Sequence, residues 1–458
     1  MAIASGWGNG INTGDILMDS YEVLYLLLFL LAMLLFLFYL YFYRDLKREP
    51  FAPVYITSAY FFLLFILRSI HLLNYGSVFL GAPPFTADIV GAWNWALLYL
   101  MLAYALFLAG YYSPLGPAVS RALPRLNSEW DSNKAIVLLP FLLVIAILSF
   151  YSLVQMSGGL SNYILNKQEA LTEGGTTYLM SGTSLIGMSL IIMQIIFCKY
   201  RKWKWVAIAL VPLVLGQAIL SGSKGVLFQP VLSAFIVFHY LRRPVKFRYL
   251  LALVLAFVII TPFINIYRNA TEVGQISKGT EIFADFDRAE FSIMGRFHAL
   301  DAFIYIIKDT PAVMDYQLGG TVLPIFVAWI PRFLWPDKPV ISFGKVFGET
   351  YFGNIYSGTG TAPSPTIIGD GYINLHVAGV ILVAFFGGVF FRTVYDYCIK
   401  RNAGPAGVFV YSQLILSMIA FWESNISGYI PRTLFTLFLT LGIARLLGAP
   451  SGRRPAGG

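Results

Sequence analysis

Residues 21–43 read YEVLYLLLFLLAMLLFLFYLYFY, and this stretch decides the fold. Glu22 is its only charged residue, and a helix of about 20 mostly apolar residues is long enough to cross the hydrocarbon core of a bilayer. We predict further spanning helices where such stretches recur, at 54–73, 89–111, 135–155, 177–198, 205–220, 225–241, 249–267, 373–395, 405–421 and 431–447. The predicted fold class is therefore all-α, a polytopic membrane protein with about eleven transmembrane helices in one integral-membrane domain, residues 1–458.

The overall composition agrees with this fold class. Hydrophobic residues make up 58% of the chain and the mean hydropathy is +0.71, which is too apolar for a soluble globular protein. Residues 1–20 contain no Lys or Arg, and the apolar run that follows is longer than the core of a signal peptide. We therefore expect the first span to stay in the protein as a transmembrane helix.

Positively charged residues lie mainly in alternate loops between the predicted spans. Nineteen of the 32 Lys and Arg residues fall in the segments 44–48, 121–134, 199–204, 242–248, 400–401 and 445–454. Because basic loops face the cytoplasm in most membrane proteins, we expect a multi-pass protein of the inner (cytoplasmic) membrane, with its N-terminus outside and its C-terminus in the cytoplasm. The net charge of +9 then indicates contact with anionic membrane lipids rather than with nucleic acid.

This topology leaves one large extracytoplasmic loop, residues 268–372. Within it, the apolar residues of 291–307 recur at three- and four-residue steps, which predicts an amphipathic helix. Residues 320–334 are apolar but too short to span the bilayer, so we expect a re-entrant segment that enters the membrane and returns.

The same loop contains the sequence AWIPRFLWPDKP at residues 328–339, which places Arg332 and Lys338 among three prolines. Proline fixes its own φ and restricts the residue before it, so the two cations are held at a nearly fixed separation. One interpretation is a clamp that binds an anionic lipid head group. The other is a kinked turn at the membrane surface, with tryptophans at the interface and basic side chains reaching toward the head groups.

Several further cations could join such a clamp, since a guanidinium binds two phosphate oxygens at once. The candidate substrate-binding residues are Arg68, Arg268, Arg296, Arg332, Lys338 and Arg432. Arg68 and Arg432 lie inside predicted spans, where an arginine is costly and calls for an anionic partner. The alternative is that carboxylates of the loop, such as Asp301 and Asp309, neutralise these cations.

A general base is available in the sequence GRFHALD at residues 295–301. His298 and Asp301 are three residues apart and would share a helix face. A carboxylate that accepts from one imidazole nitrogen leaves the other free to take a proton. Asp370 and Glu423 are the other candidate catalytic residues. The alternative for His298 is a histidine packed on the face of the helix.

These features together resemble the Wzy-type oligosaccharide repeat-unit polymerases, the O-antigen polymerase group. The likeness lies in the many-span layout, the single large outer loop late in the chain and the proline-rich run at 328–339. A further shared element is Arg268 followed by ten residues and Gly279.

The resemblance implies a glycosyltransferase that joins oligosaccharide units linked to undecaprenyl pyrophosphate at the outer leaflet. Fixed cations would stabilise the pyrophosphate leaving group, a base would take the proton of the acceptor hydroxyl, and the anomeric carbon would be inverted. It implies no metal or other cofactor. Its expected partners are the lipid-linked oligosaccharides, membrane lipids, a flippase and a chain-length regulator.

Two other classes of protein stay open. An O-antigen ligase or another lipid-sugar glycosyltransferase would use similar groups, although a metal-dependent one usually carries acidic pairs in its first outer loop, and the loop 74–88 has only Asp88. A transporter, including a flippase, usually shows two matching halves, and none is visible in this sequence.

Overall fold

The computed structural model describes residues 13–75, 85–127, 129–165, 176–221, 224–253, 297–328 and 365–449, with shorter pieces at 255–256, 259–260, 330, 334–335, 347 and 350. In this part of the chain the regular secondary structure is helical, apart from one isolated bridge between Trp130 and Gly448.

Eight of the described helices are long and apolar enough to cross a membrane, which confirms an all-α polytopic membrane protein. They are Asp19–Tyr41, Pro53–Asn74, Ala87–Tyr112, Ser132–Met156, Leu179–Tyr200, Lys204–Ser221, Ile367–Arg401 and Ile426–Leu446. Two shorter apolar helices, Gly225–Leu241 and Pro405–Ile419, coincide with further predicted spans. The predicted span 249–267 lies partly outside the described residues, so the predicted total stays a prediction.

The first third of the chain supplies α1 (Thr13–Tyr41), α2 (Tyr43–Arg48), α3 (Pro53–Phe61), α4 (Arg68–Tyr75), α5 (Ala87–Tyr112) and α6 (Leu115–Ala122). A π-helical turn, Phe62–Leu67, joins α3 directly to α4. The hydroxyl of Thr86 caps α5 by accepting from the backbone N–H of Ile89 at 3.4 Å. Such a cap satisfies one of the amides that the start of a helix leaves unpaired.

The middle of the chain supplies α7 (Ser132–Met156), α8 (Leu160–Leu165), α9 (Thr176–Thr183), α10 (Leu185–Tyr200), α11 (Lys204–Ser221) and α12 (Lys224–Leu241). Three of these helices contain an internal proline, at Pro140, Pro212 and Pro230. Neighbouring helices of a membrane bundle make such prolines tolerable, because they satisfy the backbone groups that proline releases.

The last third supplies α13 (Ala299–Asp309), α14 (Pro324–Val327), α15 (Ile367–Tyr395), α16 (Pro405–Ile419) and α17 (Ile426–Leu446). A second π-helical turn, Asp396–Arg401, continues α15. Among the described residues of the apolar segment expected to re-enter the membrane, four are helical and form α14, and Leu323 and Phe326 are mostly exposed at 66% and 75%.

Helix α13 is more enclosed than an amphipathic surface helix. The structure starts it at Ala299 and ends it at Asp309, two residues beyond the predicted end, while 291–296 lie outside the described residues. It packs against α5, α15 and the π-helical turn of residues 62–67. Its apolar face is therefore covered by the bundle, and the described part of the large loop belongs to the same body as the spans.

Helices α5 and α15 pack along each other at the centre of the bundle. Gly388 of α15 lies so close to the backbone of Phe107 and Tyr111 that a methyl group at this position would collide with it. Gly110 of α5 stands in the same relation to the backbone of Phe385. Small residues allow membrane helices to approach this closely.

Loops that carry basic residues meet at one end of the bundle. At this end, here the Glu49 end, the carboxylate of Glu49 accepts hydrogen bonds from the hydroxyls of Tyr240 and Tyr395, both at 3.0 Å. Lys134 donates to the carbonyl of Gly448 at the same end. These contacts bring together loops that the sequence analysis identified as basic. The opposite end is called the Asp370 end. There α15 begins, with Asp370 in its first turn, and α17 begins at Ile426.

Candidate functional site

A buried ion pair at the Asp370 end joins α4 to α13. The Nε and Nη2 atoms of Arg68 donate to the two carboxylate oxygens of Asp301, at 2.9 and 2.8 Å. The residues are 6% and 0% exposed. Arg68, which was predicted to need an anionic partner, has one in Asp301. Of the two interpretations of this arginine, the structure agrees with neutralisation by a carboxylate of the large loop.

His71 adds a third member to this pair. Its Nδ1 atom lies 3.0 Å from Nη1 of Arg68, and because a guanidinium has no acceptor atom, the imidazole nitrogen is the acceptor. His71 is 7% exposed. Burial raises the pKa of the Asp301 carboxyl, and the guanidinium of Arg68 opposes that rise. Arg68 is thus what keeps a charged carboxylate tolerable at this depth.

His298 stands at the N-cap position of α13, with φ −72° and ψ 6°. It is half-buried. Both oxygens of Asp301 accept from Arg68, and in the described part of the chain Asp301 makes no hydrogen bond to His298. The structure therefore differs from the predicted histidine–aspartate pair. The reason is that both oxygens of the Asp301 carboxylate are bound by the guanidinium of Arg68, which lies on another helix.

Glu423 reaches the same region through Tyr60 of α3. The Tyr60 hydroxyl donates to Oε2 of Glu423 at 2.6 Å, and the Tyr60 ring lies 6.3 Å from that of Phe297, the neighbour of His298. Helices α3 and α4, joined by the π-helical turn, form one continuous helix. This helix contacts Glu423 through Tyr60 and Asp301 through Arg68.

The π-helical turn between Tyr60 and Arg68 explains how one continuous helix contacts both Glu423 and Asp301. At 3.6 residues per turn, side chains eight positions apart in an α-helix differ by about 80° in direction, and those seven apart by about 20°. The wider turn at Phe62–Leu67 takes up one extra residue, so Tyr60 and Arg68 point to nearly the same side. Single π-turns of this kind are frequent at functional sites.

Asp370 lies in the first turn of α15 and is fully buried. One carboxylate oxygen accepts from the side chains of Thr321 and Asn374, and the other accepts from the backbone N–H of Ile426 at 2.6 Å. It therefore fixes the start of α17 and the turn near Thr321 to α15. A carboxylate with three donors and no exposure is suited to holding elements together rather than to accepting a proton from a substrate.

Arg432 is exposed on α17, and in the described part of the chain it makes no salt bridge. Helix α14, which ends one residue before the proline-rich run, packs against α17. Arg432 therefore lies on the helix that α14 contacts. The candidates Arg268, Arg296, Arg332 and Lys338 lie outside the described residues.

Sequence reasoning missed two members of this site. His71 follows Arg68 by three positions, and helical spacing could have indicated their contact. Tyr60 could not have been found in this way, because the π-helical turn changes the spacing. Among the side chains that the structure describes, no group of three or more His, Cys, Asp or Glu is arranged to hold a metal ion.

The comparisons with known proteins give a family and no function. No curated protein sequence matches the chain, and no solved structure does. A domain of unknown function, DUF8712, matches residues 140–400, from within α7 to the π-helical turn after α15. This match covers more than half of the sequence, and the chain therefore belongs to the DUF8712 family.

Proposed function

We propose that this protein is a glycosyltransferase that polymerises oligosaccharide repeat units linked to undecaprenyl pyrophosphate, at the outer leaflet of the cytoplasmic membrane. The observation that carries the proposal is the gathering of His298, Glu423 and the Arg68–Asp301 pair at the Asp370 end. The exposed Arg432 lies on α17, whose first residue, Ile426, is bound by Asp370 at the same end. Acid–base groups and cations at one end of a membrane bundle suit a lipid substrate whose reactive head group lies at the bilayer surface.

The charges at the two ends support the orientation. The basic segments meet at the Glu49 end, where the Lys134 and Arg401 side chains donate to backbone carbonyls of other segments. Basic residues favour the cytoplasmic side, so the Asp370 end faces outward. The N-terminus is then outside and the C-terminus is in the cytoplasm.

The proposed chemistry divides the groups into two sets. Arg332, Arg268, Arg296, Lys338 and Arg432 form the anion clamp, which stabilises the negative charge that develops on the departing pyrophosphate. His298 takes the proton of the acceptor hydroxyl as its oxygen bonds to the anomeric carbon. Arg68 acts indirectly in this scheme, because its guanidinium is bound to Asp301, and it positions α13 beneath His298.

A deletion strain and a purified enzyme test the proposal together. Deletion should remove the surface polymer while leaving single repeat units attached, whereas loss of every attached glycan would indicate a ligase instead. The purified full chain, given lipid-linked repeat units alone, should make polymers without a nucleotide. A purified chain that moves intact lipid-linked units across vesicles without joining them would make it a transporter.

Topology gives the first prediction. A cysteine introduced at Ser342, in the large loop, should react with a membrane-impermeant thiol reagent in intact cells, because this loop is proposed to lie outside. A cysteine at Arg242, in a basic loop, should react only after the membrane is opened. Labelling in the opposite pattern would reverse the orientation.

The anion clamp gives the second prediction. Arg332→Lys should strongly lower polymer formation, since an ammonium group does not reproduce the two-pronged contact of a guanidinium with phosphate. Arg432→Ala should lower it less, and Arg243→Ala, at the opposite face, should leave it unchanged. Polymer amount and length on gels, at matched protein levels, measure the effect. Normal polymer in an Arg332→Ala strain would remove Arg332 from the site.

Metal independence gives the third prediction. Because fixed cations are proposed to neutralise the leaving group, polymerisation by the purified enzyme should continue in EDTA at its original rate. The measurement is initial rate with and without chelator. If the rate falls in EDTA and returns with Mg²⁺ or Mn²⁺, the metal-dependent mechanism takes the place of this one.

A further inference from the structure

Helix α15 is broken two turns after its start. Leu375 has φ −137° and ψ 23°, and His376 has φ 54° and ψ −138°. A side chain with a Cβ atom rarely adopts a positive φ, and residues held in such conformations are often found at functional sites. Hydrogen bonds from a neighbouring loop hold His376 in this conformation.

The loop at residues 317–321 holds the end of the first half of the helix. The backbone N–H of Gln317 donates to the carbonyl of Ile373 at 2.8 Å, and that of Gly319 donates to Oδ1 of Asn374 at 2.9 Å. The Asn374 side chain also donates to the hydroxyl of Thr321 at 2.6 Å. These bonds replace partners that the broken helix cannot supply, so the break is a built feature of the fold.

Three tyrosines from three segments surround the ring of His376. Their ring centroids lie at 4.8 Å for Tyr372 of α15, 5.6 Å for Tyr316 of the loop and 6.4 Å for Tyr99 of α5. His376 is exposed, Tyr316 and Tyr99 are half-buried and Tyr372 is buried. In the part of the chain that the structure describes, His376 makes ring contacts but no hydrogen bond. We call His376, Tyr372, Tyr316 and Tyr99 the tyrosine recess.

The tyrosine recess adjoins the candidate site and the membrane surface. The ring of Tyr372 lies 6.5 Å from that of Phe303, two residues after Asp301 on α13. Tyr99 stacks at 5.9 Å on Trp95, which is 57% exposed, and exposed tryptophans favour the level of the lipid head groups. A group bound in the recess would therefore lie where the head of a membrane lipid meets water.

We propose that the tyrosine recess binds a sugar ring of the acceptor oligosaccharide. The half-buried Tyr316 and Tyr99 offer an apolar face for the C–H side of a sugar and a hydroxyl for its polar side. The exposed imidazole of His376 both donates and accepts hydrogen bonds. In the described residues no Arg or Lys is placed over these rings, so the recess suits a hydroxyl-rich ligand better than a phosphate. The choice of acceptor rests on the proposed function.

Binding of simple glycosides to the purified full chain tests the recess without requiring catalysis. The probes are methyl glycosides of a hexose, an N-acetylhexosamine and a uronic acid, followed by saturation-transfer NMR in detergent. Tyr316→Ala and His376→Gly are the test variants, and glycine accepts the positive φ at residue 376. Tyr316→Phe keeps the ring, and Tyr25→Ala, an exposed tyrosine on α1, is the matched control.

We expect at least one glycoside to bind, with about tenfold weaker apparent affinity in Tyr316→Ala, as the loss of one aromatic contact implies. His376→Gly should weaken binding as well, Tyr316→Phe should retain most of it, and Tyr25→Ala should match the parent. If the parent binds no glycoside, or if Tyr316→Ala and His376→Gly bind as the parent does, the recess is not a sugar site.

The same variants separate this inference from the proposed polymerase. In polymerisation, Tyr316→Ala should raise the KM for the acceptor about tenfold while kcat stays near the parent value. Glycoside binding that depends on Tyr316 in a chain that makes no polymer would keep the recess and overturn the polymerase. Polymer formation by a chain that binds no glycoside would do the reverse.

Discussion

Asp301→Ala should destabilise the protein by about 3–5 kcal/mol, because it leaves the buried guanidinium of Arg68 without its counter-charge. Both carboxylate oxygens now accept from Arg68, and Asp301 is fully buried. Asp301→Asn should be nearly as harmful, since an amide keeps the shape but not the charge. Unfolding of the purified full chain in detergent, followed by heat or denaturant, gives the measurement.

Two controls show whether the loss comes from the unpaired charge. The double variant Arg68→Met/Asp301→Leu removes both charges and should recover much of the stability, as apolar replacements of buried ion pairs do. Lys199→Met breaks an exposed pair with Glu129 and should change stability by about 1 kcal/mol or less. If Asp301→Ala is as stable as the parent, the pair with Arg68 does not hold α13 in place.

His298→Ala should lower the rate of polymer elongation by about 10²–10⁴-fold, the usual contribution of a positioned base. The histidine lies at the start of α13, near the Tyr60–Glu423 contact, and imidazole is the side-chain group that ordinarily exchanges protons near neutral pH. His298→Gln should be nearly as slow, because an amide does not accept the proton. Single-turnover elongation in membranes measures the step directly.

Stability separates this prediction from the preceding one. His298 is half-buried and Asp301 is fully buried, so His298→Ala should unfold like the parent while Asp301→Ala should not. Elongation at the parent rate in His298→Ala would leave His298 as a packed residue. Glu423 would then be the better base, because Asp370 is occupied by three donors.

The spanning helices could be predicted closely from apolar run length. The span predicted at 89–111 is Ala87–Tyr112, and the one predicted at 135–155 is Ser132–Met156. The prediction at 373–395 fell short of Ile367–Arg401, because the polar residues of the first turns are paired inside the protein and did not register as membrane-compatible.

The sequence predicted several residues of the candidate site, but it did not predict which of them contact each other. A buried arginine requires an anionic partner, so the sequence predicted that Arg68 would have one. The structure shows that this partner is Asp301. The spacing argument paired Asp301 with His298 instead, because local spacing does not reveal that Arg68, 233 residues away in sequence, binds both carboxylate oxygens. The break at His376 could not be predicted from the spacing of apolar residues. It depends on hydrogen bonds from a loop more than fifty residues away in sequence.

The π-helical turn at Phe62–Leu67 also sets where this chain tolerates a change of length. In an ordinary membrane helix, losing one residue rotates everything beyond it by about 100°. Here the extra residue is stored in a local widening, so a shortening within 62–67 would convert the turn to regular α-helix and leave both flanks facing their partners. The segment between Tyr60 and Arg68 is thus one in which the chain tolerates the insertion or deletion of one residue. The Tyr60–Glu423 and Arg68–Asp301 contacts on either side of it would be kept.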